Sequence, residues 1–210
     1  GKMGLGYEDL KRINPRIVCC SISGYGQKGP YRDVPGYDFI IQAMSGLMSV
    51  TGERDGEPMK LGVATVDLTT GLYAAVGILA ALRERDKSGH GQHIDLSLMD
   101  SAISWLANVG SNYLVSGEVS GRYGNAHANI VPYGTFETRD GSLMLAVGND
   151  DQWRHFCDAA GLPELATDER CATNPQRVAN RDFLWPIVAR VLETRDRADW
   201  TAILRRAGVP

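Results

Sequence analysis

The sequence predicts a mixed α/β protein in two parts, an α/β portion followed by a smaller α+β portion, and three observations carry that prediction. Apolar runs of strand length alternate with helix-periodic segments through the first half, as in α/β folds. Asp140-Gly141 then stands between two strand-like runs, and this dipeptide favours tight hairpin turns. Beyond the hairpin, helix signals recur to the last residues.

Tyr7 to Ile13 reads as the end of a helix that Asn14-Pro15 breaks, and Arg16 to Ile22 (RIVCCSI) as a short buried strand. Gly24 to Tyr37 is a loop, with five glycines and prolines from Gly26 to Gly36. Asp38 to Met48 returns to an apolar, helix-compatible pattern, and Thr51 to Pro58 (TGERDGEP) is a polar turn. Leu61 to Val66 is a short apolar segment leading into Asp67. Leu68 to Arg85 follows as a helix with apolar residues at Leu72, Val76, Leu79 and Leu82, stopped by Ser88-Gly89-His90-Gly91. His93 to Leu98 alternates as a strand, and Met99 to Leu114 places Ala102, Trp105, Leu106, Val109 and Tyr113 on one helical face. Val131 to Thr138 and Ser142 to Gly148 form the hairpin. Helices begin near Asp150, near Asn180 and near Asp196, where Asp199 stands three residues on; Pro186 must kink or shorten the second. RRAGVP looks like a helix stop and the first step of a strand, so the simplest expectation is the middle section of a longer chain.

At 210 residues and 43% hydrophobic composition, the chain can bury a sizeable core as one large or two small domains. A net charge of -3, with neither sign dominating a long stretch, argues against nucleic acid and an anionic membrane surface as partners. No apolar run approaches bilayer-spanning length, and GKMGLGYEDL lacks the apolar core of a signal peptide; a soluble intracellular protein is expected. Cys19, Cys20, Cys157 and Cys171 show no CxxC spacing and are expected to be reduced and structural.

Three familiar chemistries find little support. Gly24-Tyr25-Gly26-Gln27-Lys28-Gly29 matches GxGxxG after a strand, but Pro30, Pro35 and Gly36 follow where a dinucleotide site needs a helix N-terminus. No His, Cys, Asp or Glu cluster has metal-ligand spacing, and no metal is expected. No GxSxG elbow occurs, and the four histidines are scattered. Asp67 stands out because an apolar segment gives way there to a helix. That position suits a helix N-cap, and it also suits a nucleophile, since a helix N-terminus keeps a carboxylate ionised. Both roles remain open on position alone.

The runs SGYGQKGP, PGYD and VDLTTGLYAAVGILAALRERDKSGHGQHIDLSLMD resemble the formyl-CoA transferase-like family, the third class of CoA-transferases. The resemblance continues through RYGNAHANIVPYGTFETRDGSLMLAVGND, where the wording is most similar to enzymes of the succinyl-CoA:glutarate type. It implies a partial Rossmann-like large domain over residues 1–112, a linker over 113–126 and an incomplete small α+β domain over 127–210. It further implies an interlocked homodimer in the cytoplasm, or in the mitochondrial matrix of a eukaryote. The implied substrates are an acyl-CoA and a small carboxylic or dicarboxylic acid, with coenzyme A a substrate and no cofactor.

Residue by residue, the resemblance places the catalytic aspartate on Asp67, which would carry acyl and CoA groups through anhydride and thioester intermediates. Gly36, Tyr37 and Asp38 fall where the family has residues beside the CoA thiol; a turn with a capping Asp is the plainer reading of the same segment. His127 falls in the loop that covers the reacting aspartate, where formyl-CoA transferases have a glycine-rich loop; a purely structural role is the alternative. The related α-methylacyl-CoA racemases use a His-Asp pair where this chain has Tyr37-Asp38, and tyrosine, with an ordinary pKa of about 10, is a poor general base at neutral pH. Racemisation remains the second expectation, and a non-catalytic acyl-CoA-binding relative the third. The fragment is expected to leave apolar surface uncovered and to fold poorly alone.

Overall fold

The structure, a computed structural model, describes residues 3–210, which divide into one compact unit ending at Arg122 and another over Tyr123–Pro210. In the first, helix α1 (Tyr7–Ile13) ends where Asn14 turns extended. Strand β1 (Cys19–Ser23) pairs in parallel with β2 (His93–Ser97), in register from Cys19 opposite His93 to Ser23 opposite Ser97. Parallel strands need a helical crossover, and α2 (Asp38–Ser45) and α3 (Thr65–Ser88) supply it. The expected buried strand is corrected in both start and burial. Its hydrogen bonding begins at Cys19, and it is half-buried with Ile22 exposed, because a parallel strand is sealed only where neighbours cover both of its faces.

Helix α2 stops at Ser45 rather than Met48 because Gly46 takes a left-handed φ of 92°. The expected single helix over Met99 to Leu114 is two, α4 (Leu98–Ser104) and α5 (Ala107–Ser116), separated at Trp105 and Leu106, after which Ala107 adopts φ 41°. Helix α5 thus runs into the stretch expected as linker. Ser97 caps α4 by accepting from the Asp100 amide at 2.9 Å. Ile41, Leu47, Val66, Leu98 and Ala102 form the buried cluster of this unit. Of the five residues expected on one helical face, Ala102 alone is fully buried.

Helix α3 buries a different face from the one its large side chains mark. Thr65, Val66, Thr69, Thr70, Ala74 and Ala81 are buried, whereas Leu72 is 67% exposed and Val76 and Leu79 are similarly open. The small face permits close approach to the sheet: a Cβ on Gly77 would meet Ile94 Cγ2 at 3.4 Å. A second correction follows from the uncovered apolar face. By length and composition α3 could cross a membrane, with 24 residues and a mean hydropathy of 1.5. Asp67 lies in its first turn and Arg85 and Lys87 in its last, and the helix packs one face against β1, β2 and α4 with about a third of its apolar stretch buried.

The second unit is an α+β body. Strands β3 (Tyr133–Thr138) and β4 (Gly141–Ala146) form an antiparallel hairpin in which Thr138 pairs with Gly141, so the turn residues are Arg139 and Asp140. Helices α6 (Asp150–Ala160), α7 (Pro163–Thr167), α8 (Asn174–Ala179), α9 (Arg181–Leu192) and α10 (Arg197–Arg206) follow. The sequence indicated α6, α9 and α10; α7 and α8 are too short to show a period. Pro186 does not end α9, which runs through it. Asp196 makes no side-chain cap to α10, because Arg139 engages both of its oxygens at 2.7 Å.

Trp153, Phe156, Leu184, Val188, Leu192 and Trp200 lie in the core of this unit. Arg177 is buried among them, donating to the carbonyls of Val131 and Cys171 and to Asp150 Oδ1. The four cysteines are free, and burial pushes the Cys157 thiol up to about 12, which leaves it inert.

Candidate active site

Glycine opens the site. A Cβ on Gly36 would lie 2.6 Å from Gly24 Cα, so the two ends of the loop close on one another only as glycines. The amide of Gly26 donates to Ser23 Oγ and that of Gln27 to Asp95 Oδ2, both at 3.0 Å. Two amides of the GxGxxG run therefore serve the protein itself. Closure of the loop delivers Tyr37 and Asp38 to the start of α2.

Asp38 supplies the cap that Asp67 was expected to supply. Its Oδ2 accepts from the amides of Val66 at 2.8 Å and Asp67 at 3.2 Å, two donors that the first turn of α3 leaves unsatisfied. Its Oδ1 accepts from Gln42 Nε2 at 2.5 Å. The N-cap reading of Asp67 is corrected: Ala64 occupies that position without a side-chain bond, and Asp67 is the third helical residue. Its carboxylate is exposed and accepts no hydrogen bond among the described residues. Crowding by surrounding protein, and then the negative charge of Asp38, hold its pKa above the usual carboxylate range.

Asp67 opens onto a concavity of about 350 Å³ lined by residues 37–39 and 60–64. The structure thus brings Tyr37, Asp38 and Asp67 together, with Gly36 behind them. The polar end of the hollow is acidic, and Lys60 adds a cation at its edge. A carboxylate placed at a helix N-terminus in an open hollow is suited to nucleophilic attack on an acyl carbon.

The whole chain, residues 1–210, matches the model of CoA-transferase family III. The chain belongs to that family. Among family members, it is 54% identical to a succinate–glutarate CoA-transferase of Agrobacterium fabrum, over 86% of this chain and 45% of that protein. The human succinyl-CoA:glutarate CoA-transferase is 42% identical over 99% of this chain and 48% of its own length. The chain spans about half the length of the curated relatives it matches. A CaiB/BaiF family protein from Brucella suis shares its structure at a TM-score of 0.77 and 49% identity, over all of this chain and 55% of that one.

Within this chain, His127 belongs to the second unit. Its Nδ1 accepts from the Asn129 amide at 3.0 Å, its ring lies 5.2 Å from that of Tyr133, and Arg181 donates to its carbonyl at 2.8 Å. Two residues of the site's surroundings escaped sequence reasoning, Lys60 at the rim of the hollow and the buried Gln42 bonded to Asp38. Lys60 sits next to the apolar segment that leads to Asp67, and Gln42 stands four residues after Asp38 in an otherwise apolar helix. That polar break in the apolar pattern was the available signal. No group of three or more His, Cys, Asp or Glu side chains among the described residues could hold a metal.

Proposed function

We propose that the protein containing this chain moves CoA from an acyl-CoA donor such as succinyl-CoA to a small dicarboxylic acid, with Asp67 as covalent carrier. The observation that carries this reading is the exposed, unbonded Asp67 carboxylate at the N-terminal turn of α3, whose cap comes from a different residue. Relatives named for succinyl-CoA, glutarate and oxalate support the substrate class. The parallel β1–β2 pair with its helical crossover fits a Rossmann-like large domain, and the uncovered face of α3 fits a homodimer or the remainder of the protein.

Asp67 attacks the thioester carbonyl, expelling CoA thiolate and leaving an acyl-aspartyl anhydride. The thiolate attacks the aspartyl carbonyl and releases the donor as its free carboxylate, so Asp67 now carries CoA as a thioester. The acceptor carboxylate displaces CoA and forms a second anhydride. Attack of thiolate on the acceptor carbonyl frees the new acyl-CoA and restores Asp67. Every step exchanges one acyl bond for another, so no external energy source is required. Tyr37 and Asp38 flank the thiol end of the substrate.

Asp67→Asn in the full-length protein tests this reading. Because Asp67 is not the cap, the change removes only a charge near a helix end, worth about 0.3–1 kcal/mol. Stability is expected to change little, while turnover of succinyl-CoA with glutarate falls by about 10³-fold or more. Turnover at the wild-type level would exclude the covalent role.

A further inference from the structure

We infer that Gln42 is a positioning residue for Asp67, an inference that rests on reading Asp67 as the acyl carrier. Gln42 is 1% exposed, and a buried amide is costly unless its donor and acceptor are both engaged. Both are. Oε1 accepts from the Leu61 amide at 2.9 Å, and Nε2 donates to Asp38 Oδ1 at 2.5 Å. Leu61 and Asp38 line the concavity that Asp67 opens onto, whereas Gln42 does not.

The other oxygen of Asp38 receives the amides of Val66 and Asp67. Gln42 and Asp38 therefore join three pieces of backbone in series: the loop over residues 60–64, the start of α2 and the first turn of α3. The chemistry of an amide is specific to this task, because it accepts from an N–H and donates to a carboxylate at once. An ionised carboxylate cannot donate, and a leucine can do neither. Without Gln42 the Asp38 carboxylate loses its fixed orientation, and the carrier loses its setting.

The test compares wild type, Gln42→Leu and Gln42→Glu in the full-length protein with succinyl-CoA and glutarate as probes. Gln42→Leu is expected to lower kcat by roughly 10- to 100-fold, the cost of misplacing a reacting group. KM for succinyl-CoA is expected to stay within about 2-fold, as the lost interaction lies outside the binding surface. Gln42→Glu introduces a buried carboxyl facing Asp38, with Tyr37, Asp67 and Lys60 as the other titratable groups around the hollow. Burial and like charge raise the pKa of that carboxyl. Protonated, it donates to Asp38 as the amide does; ionised, it repels Asp38. Its kcat relative to wild type at the same pH is therefore expected to rise as pH falls. Hydrogen exchange in peptides holding Leu61 and Val66 is expected to quicken in Gln42→Leu.

Wild-type kcat in both variants overturns the inference. So does a loss of activity that follows loss of folded protein with a pH-independent ratio. If wild type transfers no CoA, the reading of Asp67 fails instead, and exchange at Leu61 and Val66 still decides whether Gln42 holds the first turn.

Discussion

Asp38 and Asp67 bring like charges into one hollow, and each has a distinct task there. Asp38 is engaged by backbone amides and by Gln42, and the proposal gives the chemistry to Asp67. The raised pKa of Asp67 comes first from local crowding and then from Asp38. In the proposed mechanism only ionised Asp67 attacks, so activity is expected to rise with pH through that raised value. Removing the charge of Asp38 lowers the Asp67 pKa, and the acid limb of kcat/KM, which reports the free enzyme, is expected to move to lower pH in Asp38→Asn. The plateau is expected to drop as well, because asparagine has one carbonyl oxygen where Asp38 uses two. An acid limb that stays in place or moves upward would remove Asp38 from the electrostatics of the site. Sequence position drew attention to both aspartates and offered a capping role for each, but could not tell that Asp38 is the one that caps α3. Capping across elements depends on the fold of the loop between them, which no local pattern records.

At the scale of elements, the Gly24–Gly36 crossing fixes where α2 begins. Gly36→Ala would force a Cβ to 2.6 Å from Gly24 Cα and 3.3 Å from Ile41 Cδ1. A loss of about 1–3 kcal/mol in stability is expected, typical of overpacking, together with reduced turnover as Tyr37 and Asp38 shift. Gly121→Ala, outside α3 and with nothing within 4 Å of the added carbon, serves as the control and is expected to leave turnover unchanged. Thermal unfolding and steady-state kinetics on both variants check this; equal effects would deny the crossing its role. Helix starts and stops marked by Asn14-Pro15 and Gly89 were legible because they rest on local backbone chemistry. The face α3 buries was not legible. Its large apolar residues imitate a core stripe, while the sheet accepts the small residues on the other side.

At the scale of the molecule, the alternation of strands and helices, the α+β hairpin unit and the family resemblance were all readable from sequence. Burial was less so, since Leu72, Val76 and Leu79 read as a core stripe in the sequence and are exposed in the structure. The short helices α7 and α8, and the buried Arg177 that ties α8 to the segments around Val131, Cys171 and Asp150, depend on tertiary packing alone. The central claim concerns a bond that exists only during turnover, and it is tested most directly by trapping that bond. Full-length protein turning over succinyl-CoA is quenched with hydroxylamine or borohydride and its peptides are mapped by mass. The account predicts modification of Asp67 that requires acyl-CoA and disappears in Asp67→Asn. Label on any other residue, or continued transfer with Asp67 unmodified, would contradict it.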